Sequence, residues 1–409
     1  MMKLLLTKTS IYDYLFCGLI LAIPFSLKLP NILLIVLTLF FIIDFKNLKN
    51  IEFKSLYKIQ YFILGTLILY WIIKGLLTGS ISENKHNLML PIVMFPLLIL
   101  KVRDGYKLLF TIVLAGFIVG LRALYGIVLN YFSTNEILPF EGNSINQILG
   151  MERPYLGFLL IISIIIAAFL SLQFRKLRWF FRAYSLFAVI IIIVISARMS
   201  LLTLGCAVIL YYLFYLKIEL KRKFIYISIF LVLLASFISF NKTLQNRLFI
   251  SNNFQESVKS FQRFEPRFII WPCSYDIVHS QVFDGVFGLE SEKRVDELLQ
   301  RCYLTKIESK DRAYFFAETD LNTHNQFIGT FLSSGSVGLL LLLLFFIIQL
   351  CCKIKNFYPT ILGISLLLFF FVENVLYRQV GIYFFILTVV LMNSAELNFK
   401  DLDSKGRIK

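Results

Sequence analysis

Residues 321–344 read LNTHNQFIGTFLSSGSVGLLLLLL, and here a polar stretch of the chain becomes a long apolar one. The apolar part is long enough to form a helix that crosses a bilayer. His324 stands at the start of this helix, at the expected membrane surface, and small residues fill the first turns. An ionisable imidazole in this place suits a residue that takes a proton from a substrate at the membrane edge.

The composition of the whole chain is that of a polytopic membrane protein. Its 409 residues are 58% hydrophobic and only 16% charged, and 43 of them are Phe. No water-soluble domain buries so large an apolar fraction, so we exclude that class. The basic start of the chain leads into a first span without a small-residue cleavage pattern, and we therefore do not expect a removed signal peptide.

Apolar runs along the chain predict an all-α polytopic fold with about twelve transmembrane helices. The split between the first two rests on Lys28 and Pro30 inside one apolar stretch. We expect three parts: nine spans in 1–240, a helical periplasmic loop domain in 241–325, and three spans with a basic tail in 326–409. The predicted spans are 12–28, 30–44, 59–77, 88–100, 107–131, 154–173, 182–196, 199–216, 224–240, 326–350, 359–373 and 379–394.

The positions of Lys and Arg fit this number of spans. With the N-terminus inside, the segments assigned to the cytoplasm carry 23 of the 41 basic residues, and both termini are cytoplasmic. The net charge of +16 reflects this topology. A nucleic-acid-binding protein would need a contiguous basic face, and we expect no nucleic-acid partner. Each short outer connection carries one basic residue: Lys28, Lys85, Arg153, Arg198 and Arg378.

The segment 241–325 is the one large outer loop of this topology. It holds 11 basic and 12 acidic residues, and this mixed composition favours a folded cap over a disordered tether. We predict a helix from Trp271 to Ser280, with Pro272 in its first turn, because proline is tolerated there. A second helix should begin after Ser291, which can act as its N-cap.

Two of the six cysteines, Cys273 and Cys302, lie in this loop, one on each predicted helix. A periplasmic loop faces an oxidising compartment, in which such a pair can join. We therefore predict a disulfide between them; the alternative is two separate buried thiols.

Three motifs resemble those of one family. His324-Asn325, nine residues, Gly335, two residues and Gly338 resemble the His-[Asn/Ser/Gln]-x9-Gly-x2-[Gly/Thr/Tyr] signature of the bacterial O-antigen ligase and polymerase superfamily. The stretch SARMS at 196–200 resembles its Ser-Arg element between two central spans. RFIIW at 267–271 and DGVFG at 284–288 resemble its Arg-x3-Trp and Gly-Val-Gly run, although Phe287 stands where the family tends to have a second glycine.

The resemblance implies a metal-independent glycosyl transfer at the outer face of the bacterial inner membrane, without a cofactor. The donor would be a glycan on a polyprenyl (undecaprenyl) diphosphate, within membrane lipid. The acceptor would be a sugar hydroxyl of lipid A-core or of a second lipid-linked glycan. A departing diphosphate needs fixed positive charge, which we assign to Arg198 and Arg267, and the acceptor hydroxyl needs a base, which we assign to His324.

Other residues are weaker candidates for substrate binding. Arg263 is a rival of Arg267, and Asn325 and Trp271 belong to the motifs that carry the resemblance. Arg122 lies within the fifth span, where an unpaired charge is costly, so it should face a polar cavity. Its role there is a second phosphate contact or an ion pair. Lys74 lies near the end of a span, where we expect its side chain to snorkel.

Three functions remain open from the sequence. An O-antigen ligase would move the glycan to lipid A-core, and we favour it because the histidine signature fits without a gap. A polymerase of the same superfamily would use another lipid-linked repeat as acceptor. A polysaccharide flippase or transporter would need no base and would more often show two related halves.

Overall fold

In a computed structural model, the chain is described over residues 11–43, 58–80, 85–102, 104–139, 144–216, 218–240, 265–307, 309–318 and 321–394. These residues form helices and connections, with no strand among them. Ten helices precede the loop region: α1 Ile11–Ala22, α2 Leu29–Ile43, α3 Ile59–Thr78, α4 Lys85–Lys101, α5 Gly105–Thr134, α6 Ser144–Leu149, α7 Arg153–Gln173, α8 Arg178–Val194, α9 Arg198–Leu210 and α10 Leu220–Phe240. Among the described residues of the loop region lie three helices, α11 Arg267–Val278, α12 Glu292–Lys306 and α13 Lys310–Glu318. Three follow it: α14 Gln326–Lys353, α15 Phe357–Phe370 and α16 Gln379–Asn393.

Each of the twelve predicted spans coincides with a helix of the structure. Within the described ranges, six helical stretches are long and apolar enough to cross a membrane: Ile59–Thr78, Gly105–Thr134, Ser144–Gln173, Arg175–Val194, Arg198–Tyr215 and Gln326–Lys353. The all-helical membrane class is therefore confirmed. The exact number of spans, the domain boundaries and the side of the membrane that the loop faces stay predictions.

Helix α7 lies at the centre of the bundle. In the stretch Ser144–Gln173, 89% of the most apolar 18-residue segment is buried inside the protein, whereas the same share is 44% or less in the other five long stretches. α7 packs against α5, α8, α9 and α15. Its Phe158 ring stacks on Phe369 of α15 with 4.3 Å between ring centres, and such contacts fix the ends of these helices relative to one another.

The described residues between 265 and 325, which we call the cap, have a small core of their own. Ile270 and Ile277 of α11 pack with Val295, Leu299 and Tyr303 of α12. The buried hydroxyl of Tyr303 donates to the carbonyl of Leu321 at 2.9 Å, and burial raises the pKa of this tyrosine. Cys273 and Cys302 form a disulfide between α11 and α12, with 5.8 Å between their Cα atoms.

The two helices predicted in the loop are present, but one begins earlier than expected. Ser291 is the N-cap of α12, and its hydroxyl accepts from the amide of Arg294 at 3.1 Å, which confirms that prediction. α11 begins at Arg267 and not at Trp271, so Pro272 lies inside it. Proline lacks an N–H and cannot bond the carbonyl of Phe268. The helix continues past this missing hydrogen bond, so the prediction that it begins at Trp271 is wrong.

The glycines of the histidine signature shape a junction between the cap and α14. Gly335 has φ 62° and ψ −165° and breaks the helix. At this break the 284–288 loop inserts: Ser336 and Val337 donate their amides to the carbonyls of Gly285 and Val286 at 3.0 and 3.3 Å. A Cβ on Gly335 would lie 2.1 Å from the carbonyl oxygen of Val286. Only glycine fits such an approach at a positive φ.

The same loop explains why Phe287 is compatible with the fold. The carboxylate of Asp284 accepts from the amides of Val286 at 2.7 Å and Phe287 at 3.1 Å. The bond from Phe287, then that from Val286, holds the pKa of Asp284 below its ordinary value. Gly288 has φ 74°, whereas Phe287 is not among the described residues with positive φ, and its ring is exposed. The position therefore does not require glycine.

Lys74 contradicts the expectation that its side chain snorkels. Its ammonium donates to the carbonyls of Phe287 and Ser333, and to that of Leu289 at 2.7 Å. Next to it, Tyr70 and Trp71 bond the carbonyl and the hydroxyl of Ser334 at 2.7 and 3.1 Å. Helix α3 thus ties the 284–289 loop to the break in α14, because three carbonyls replace the water that the ammonium would otherwise need.

Candidate active site

A cavity of about 1170 Å³ lies between the cap and the adjoining ends of α7, α9 and α15. Spans supply an apolar part that includes Phe158, Ile161 and Phe369, and the cap supplies a wall with Phe268 and Trp271. Among the described residues of the lining, four arginines stand against two glutamates, an excess of +2 with the histidine neutral. They are Arg153, Arg198, Arg267, Arg312, Glu265 and Glu373, and the histidine is His324.

Four helices begin at this cavity. Arg153, Arg198 and Arg267 are the first residues of α7, α9 and α11. His324 comes directly before Asn325, the N-cap of α14. The N-terminal end of a helix carries unpaired N–H groups and about half a positive charge. The helix ends therefore add to the field of the arginines, and the site favours an anion.

Arg198 is placed by a turn with a left-handed residue. α8 ends at Val194, and Ser196 adopts φ 51°. The amide of Ala197 then bonds the carbonyl of Ile192 at 3.2 Å, which closes the helix end. Serine rarely adopts this conformation, and non-glycine residues held in it cluster at functional sites. The turn directs the chain so that α9 starts with Arg198 at the cavity.

Glu265 holds the two predicted phosphate-binding arginines together. Its carboxylate oxygens bond one Nη of Arg198 at 2.9 Å and one Nη of Arg267. The other Nη of Arg267 donates to the carbonyl of Val372 at 2.8 Å. Its Nε–H is buried and has no hydrogen-bond partner among the described residues. A buried donor without a partner is costly, and it can be satisfied by an oxygen of a bound anion.

His324 has a strained backbone and an acidic neighbour. Its φ is 45°, and its amide donates to Oδ1 of Asn322 at 3.0 Å. Nδ1 of the ring lies 3.7 Å from Oε2 of Glu373, whose side chain is nearly buried. A carboxylate on this side favours a proton at Nδ1, which leaves Nε2 as the acceptor. The imidazole can therefore take a proton from a group in the cavity.

Residues 183–343 match the family model described as O-antigen ligase. This part of the chain is similar to the O-antigen ligase family. The family segment contains Arg198, Arg267, His324 and the break at Gly335, so the resemblance stated from the motifs is confirmed. Glu373 and Arg153 lie outside it. A comparison with curated protein sequences found no match to the chain.

Three predicted residues of the O-antigen ligase segment, Arg198, Arg267 and His324, thus line one cavity with Trp271. Trp271 lies one turn after Arg267 on α11, and its indole Nε1 donates to the carbonyl of Thr323 at 3.2 Å. The indole therefore lies on the helix that begins with Arg267 and contacts the residue before His324.

Asn325 is not brought into the cavity. Its side-chain oxygen accepts from the amides of Phe327 and Ile328 at 2.9 and 3.1 Å, and its Nδ2 donates to Phe371. Its own amide donates to Asn374 at 2.8 Å. All its polar groups are used to fix the start of α14, so the expected substrate contact is replaced by a positioning role.

Arg122 and Arg263 are not part of the described site. Arg122 has an exposed side chain whose guanidinium lies 5.6 Å from the ring centre of Phe25. It also packs against Gly150, where a Cβ would lie 2.3 Å from its Nε. Among the described residues it has no ion pair, and a cation–π contact accounts for its placement. Arg122 does not line the cavity of Arg198 and Arg267, and the polar cavity expected around it stays a prediction. Arg263 lies outside the described residues.

Sequence reasoning missed Glu265, Glu373 and Arg312. Glu265 stands two residues before Arg267, and its position beside a motif was the available signal. Glu373 is the last residue of the predicted span 359–373 and belongs to no recognised motif, and only the fold brings it to His324. In the described ranges no group of three or more His, Cys, Asp or Glu could hold a metal ion.

Proposed function

We propose that this cavity transfers a glycan from a polyprenyl diphosphate carrier to the hydroxyl of an acceptor sugar. The observation that carries the proposal is the common cavity of Arg198, Arg267 and His324, which come from three separate parts of the chain. A diphosphate leaving group and a hydroxyl nucleophile require an anion site and a base within the reach of one sugar, and the cavity offers both.

In the proposed transfer, the histidine takes a proton and the arginines hold the leaving group. The acceptor oxygen attacks the anomeric carbon of the donor sugar while its proton passes to Nε2 of His324. The bond between the anomeric carbon and the diphosphate oxygen breaks, and the electron pair stays with the diphosphate. Glu373 stabilises the imidazolium that forms, as a carboxylate does beside a catalytic histidine. The proton later leaves the imidazole to solvent or to the released diphosphate.

The leaving diphosphate is held by guanidinium groups. An arginine can bind phosphate oxygens with two parallel N–H bonds and stays charged at every relevant pH. Glu265 keeps Arg198 and Arg267 aligned before the donor binds, and the buried Nε–H of Arg267 offers a further donor. We propose that this charge makes a divalent cation unnecessary, so a chelator should leave the transfer rate unchanged.

We propose the ligase reaction, with lipid A-core as acceptor, at the periplasmic face of the inner membrane. In this topology the cap faces the periplasm and both termini the cytoplasm. The family match and the histidine signature support this assignment. A deletion strain should accumulate lipid-linked polymer and carry bare lipid A-core. Single repeat units on the core would instead identify a polymerase.

The assignment of the base is tested by His324→Ala in purified protein. General-base catalysis contributes about 10²–10⁴-fold in rate, and the variant should lose activity to that extent. His279 offers a matched control, because it is an exposed cap histidine that does not line the cavity. His279→Ala should transfer glycan at the wild-type rate. Wild-type rates for His324→Ala would refute the proposal.

A further inference from the structure

The cap wall of the cavity carries three exposed aromatic side chains. Phe268 and Trp271 of α11 are 45% and 40% exposed, and Phe315 of α13 is 58% exposed, and all three line the cavity. Other large cap side chains are exposed as well, but these three are grouped on one wall of a cavity, and such a group indicates a ligand surface. We call these three residues, together with Arg312, the aromatic wall.

Trp271 fixes where this wall lies relative to the chemistry. It is four residues after Arg267 on α11, so the two side chains leave the same face of the helix. Its indole N–H is bonded to the carbonyl of Thr323, the residue before His324. The edge of the ring is thereby held, while its face stays open. Arg267, Trp271 and His324 line the same cavity, so a sugar that is held by a phosphate at Arg267 and attacked near His324 lies within reach of this face.

Helix α13 contributes the other two residues of the aromatic wall, Arg312 and Phe315. Its Ala313 and Phe316 are buried, and Arg312, the exposed Phe315 and the buried Phe316 line the cavity. The guanidinium of Arg312 lies 5.6 Å from the ring centre of Phe316, a cation–π contact that sets its direction. The wall thus combines flat apolar faces with a charged hydrogen-bond donor.

We propose that the aromatic wall is a sugar-binding subsite that stacks the pyranose rings of the glycan. This inference rests on the proposed function. A pyranose has one face of C–H groups, made slightly positive by neighbouring oxygens, and an aromatic ring carries negative charge on its face. The hydroxyls around the pyranose rim suit a fork such as Arg312. The apolar part of the cavity, by contrast, is built by the spans and suits the prenyl chain.

The sugars next to the wall come from the donor or from the acceptor, and kinetics separates the two. Full-length protein in nanodiscs is supplied with lipid-linked glycan and with lipopolysaccharide core, both isolated from a strain that lacks the protein. Phe315→Ala should raise KM about tenfold, equivalent to roughly 1.4 kcal/mol, with little change in kcat. A rise in KM for the lipid-linked glycan assigns the wall to the donor, and a rise for the core assigns it to the acceptor. Phe315→Trp should restore KM, because it keeps a ring.

Tyr314 provides a matched control. It is the neighbour of Phe315 on α13, is also 58% exposed, and does not line the cavity. Tyr314→Ala should leave both KM values unchanged. Unchanged KM values in Phe315→Ala, in an enzyme that His324→Ala inactivates, would overturn the sugar-binding subsite and leave the proposed function in place.

Binding without turnover gives a test that is independent of activity. The chain has three Trp, and Trp71→Phe with Trp179→Phe leaves Trp271 as the sole indole. An oligosaccharide released by mild acid from the surface polysaccharide of the same bacterium should change its fluorescence, and Phe315→Ala should weaken this response about tenfold. A response to geranyl diphosphate that depends on Phe315, with none to the oligosaccharide, would show a lipid-binding wall and overturn the proposal.

Discussion

Nδ1 of His324 lies 3.7 Å from Oε2 of Glu373. His324 stands just before the start of α14, and Glu373 stands just after the end of α15. The carboxylate stands beyond the segment that matches the family model. The pair gives the proposed base an orienting and charge-balancing partner, and its function can be measured separately from that of the histidine.

Glu373→Gln should lower kcat by about 10- to 100-fold, the usual cost of losing a group that orients a functional histidine. The amide has the same shape but cannot balance the charge of an imidazolium, and KM should change little because Glu373 is not assigned to substrate binding. Glu152→Gln is a control, since Glu152 pairs with Arg378 and does not line the cavity. An unchanged kcat in Glu373→Gln would remove Glu373 from the mechanism.

Arg198→Lys and Arg267→Lys should each reduce transfer about 10²-fold, comparable to the loss of one donor that stabilises a developing charge. A lysine ammonium keeps the charge but cannot bridge Glu265 and a phosphate with a planar fork. Arg294→Lys serves as a control, because Arg294 pairs with Glu297 on the cap surface and does not line the cavity. Rates are compared at saturating donor. Wild-type rates in both site variants would contradict the anion site.

Cys273→Ser should lower the thermal stability of the purified protein, because the disulfide closes a loop across 29 residues of sequence and such links stabilise by about 2–4 kcal/mol. Reductant should lower the melting temperature of the wild type and leave that of Cys273→Ser unchanged. Cys352→Ser, which removes an exposed free thiol, should behave as the wild type. If reductant leaves the melting temperature of the wild type unchanged, the disulfide does not stabilise the cap.

Gly335→Ala should destabilise the junction between the cap and α14. The residue has φ 62°, and an added Cβ would lie 2.1 Å from the carbonyl oxygen of Val286; non-glycine residues in such conformations cost about 1–3 kcal/mol. Gly205→Ala is the matched control, because nothing lies within 4 Å of a Cβ there. The fraction of monodisperse protein after heating measures both. Equal recovery of the two variants would be inconsistent with the described junction.

The sequence was sufficient to predict the helices and to single out three residues that line one cavity, for physical reasons. Apolar runs mark spans because the bilayer demands them, and Ser291 marks a helix start because its hydroxyl can cap one. His324 and Arg198 were found because their motifs carry fixed spacings. Glu373 could not be found in this way, because a carboxylate that meets its partner only through the packing of two helices leaves no local pattern.

Two positions show what is missed when single residues are considered without their tertiary partners. Pro272 was expected in the first turn of a helix that begins at Trp271, yet α11 begins at Arg267, and the cap core and the disulfide hold residues on both sides of the proline. Arg122 was expected to need a polar cavity, yet a ring and a glycine backbone surround part of its guanidinium. In both cases tertiary packing, and not the preference of the single residue, determines the structure.

Lys74 has a consequence for the order in which the protein is assembled. Its three carbonyl partners lie 213, 215 and 259 residues later in the chain. Because synthesis runs from the N-terminus, α3 is made long before the 284–289 loop and α14 exist. The ammonium must stay at water or head groups during that interval, since an unpaired charge in the bilayer is costly. Its capture by the loop and α14 is therefore a late step of biogenesis, which a nascent chain that stops before Ser333 cannot complete.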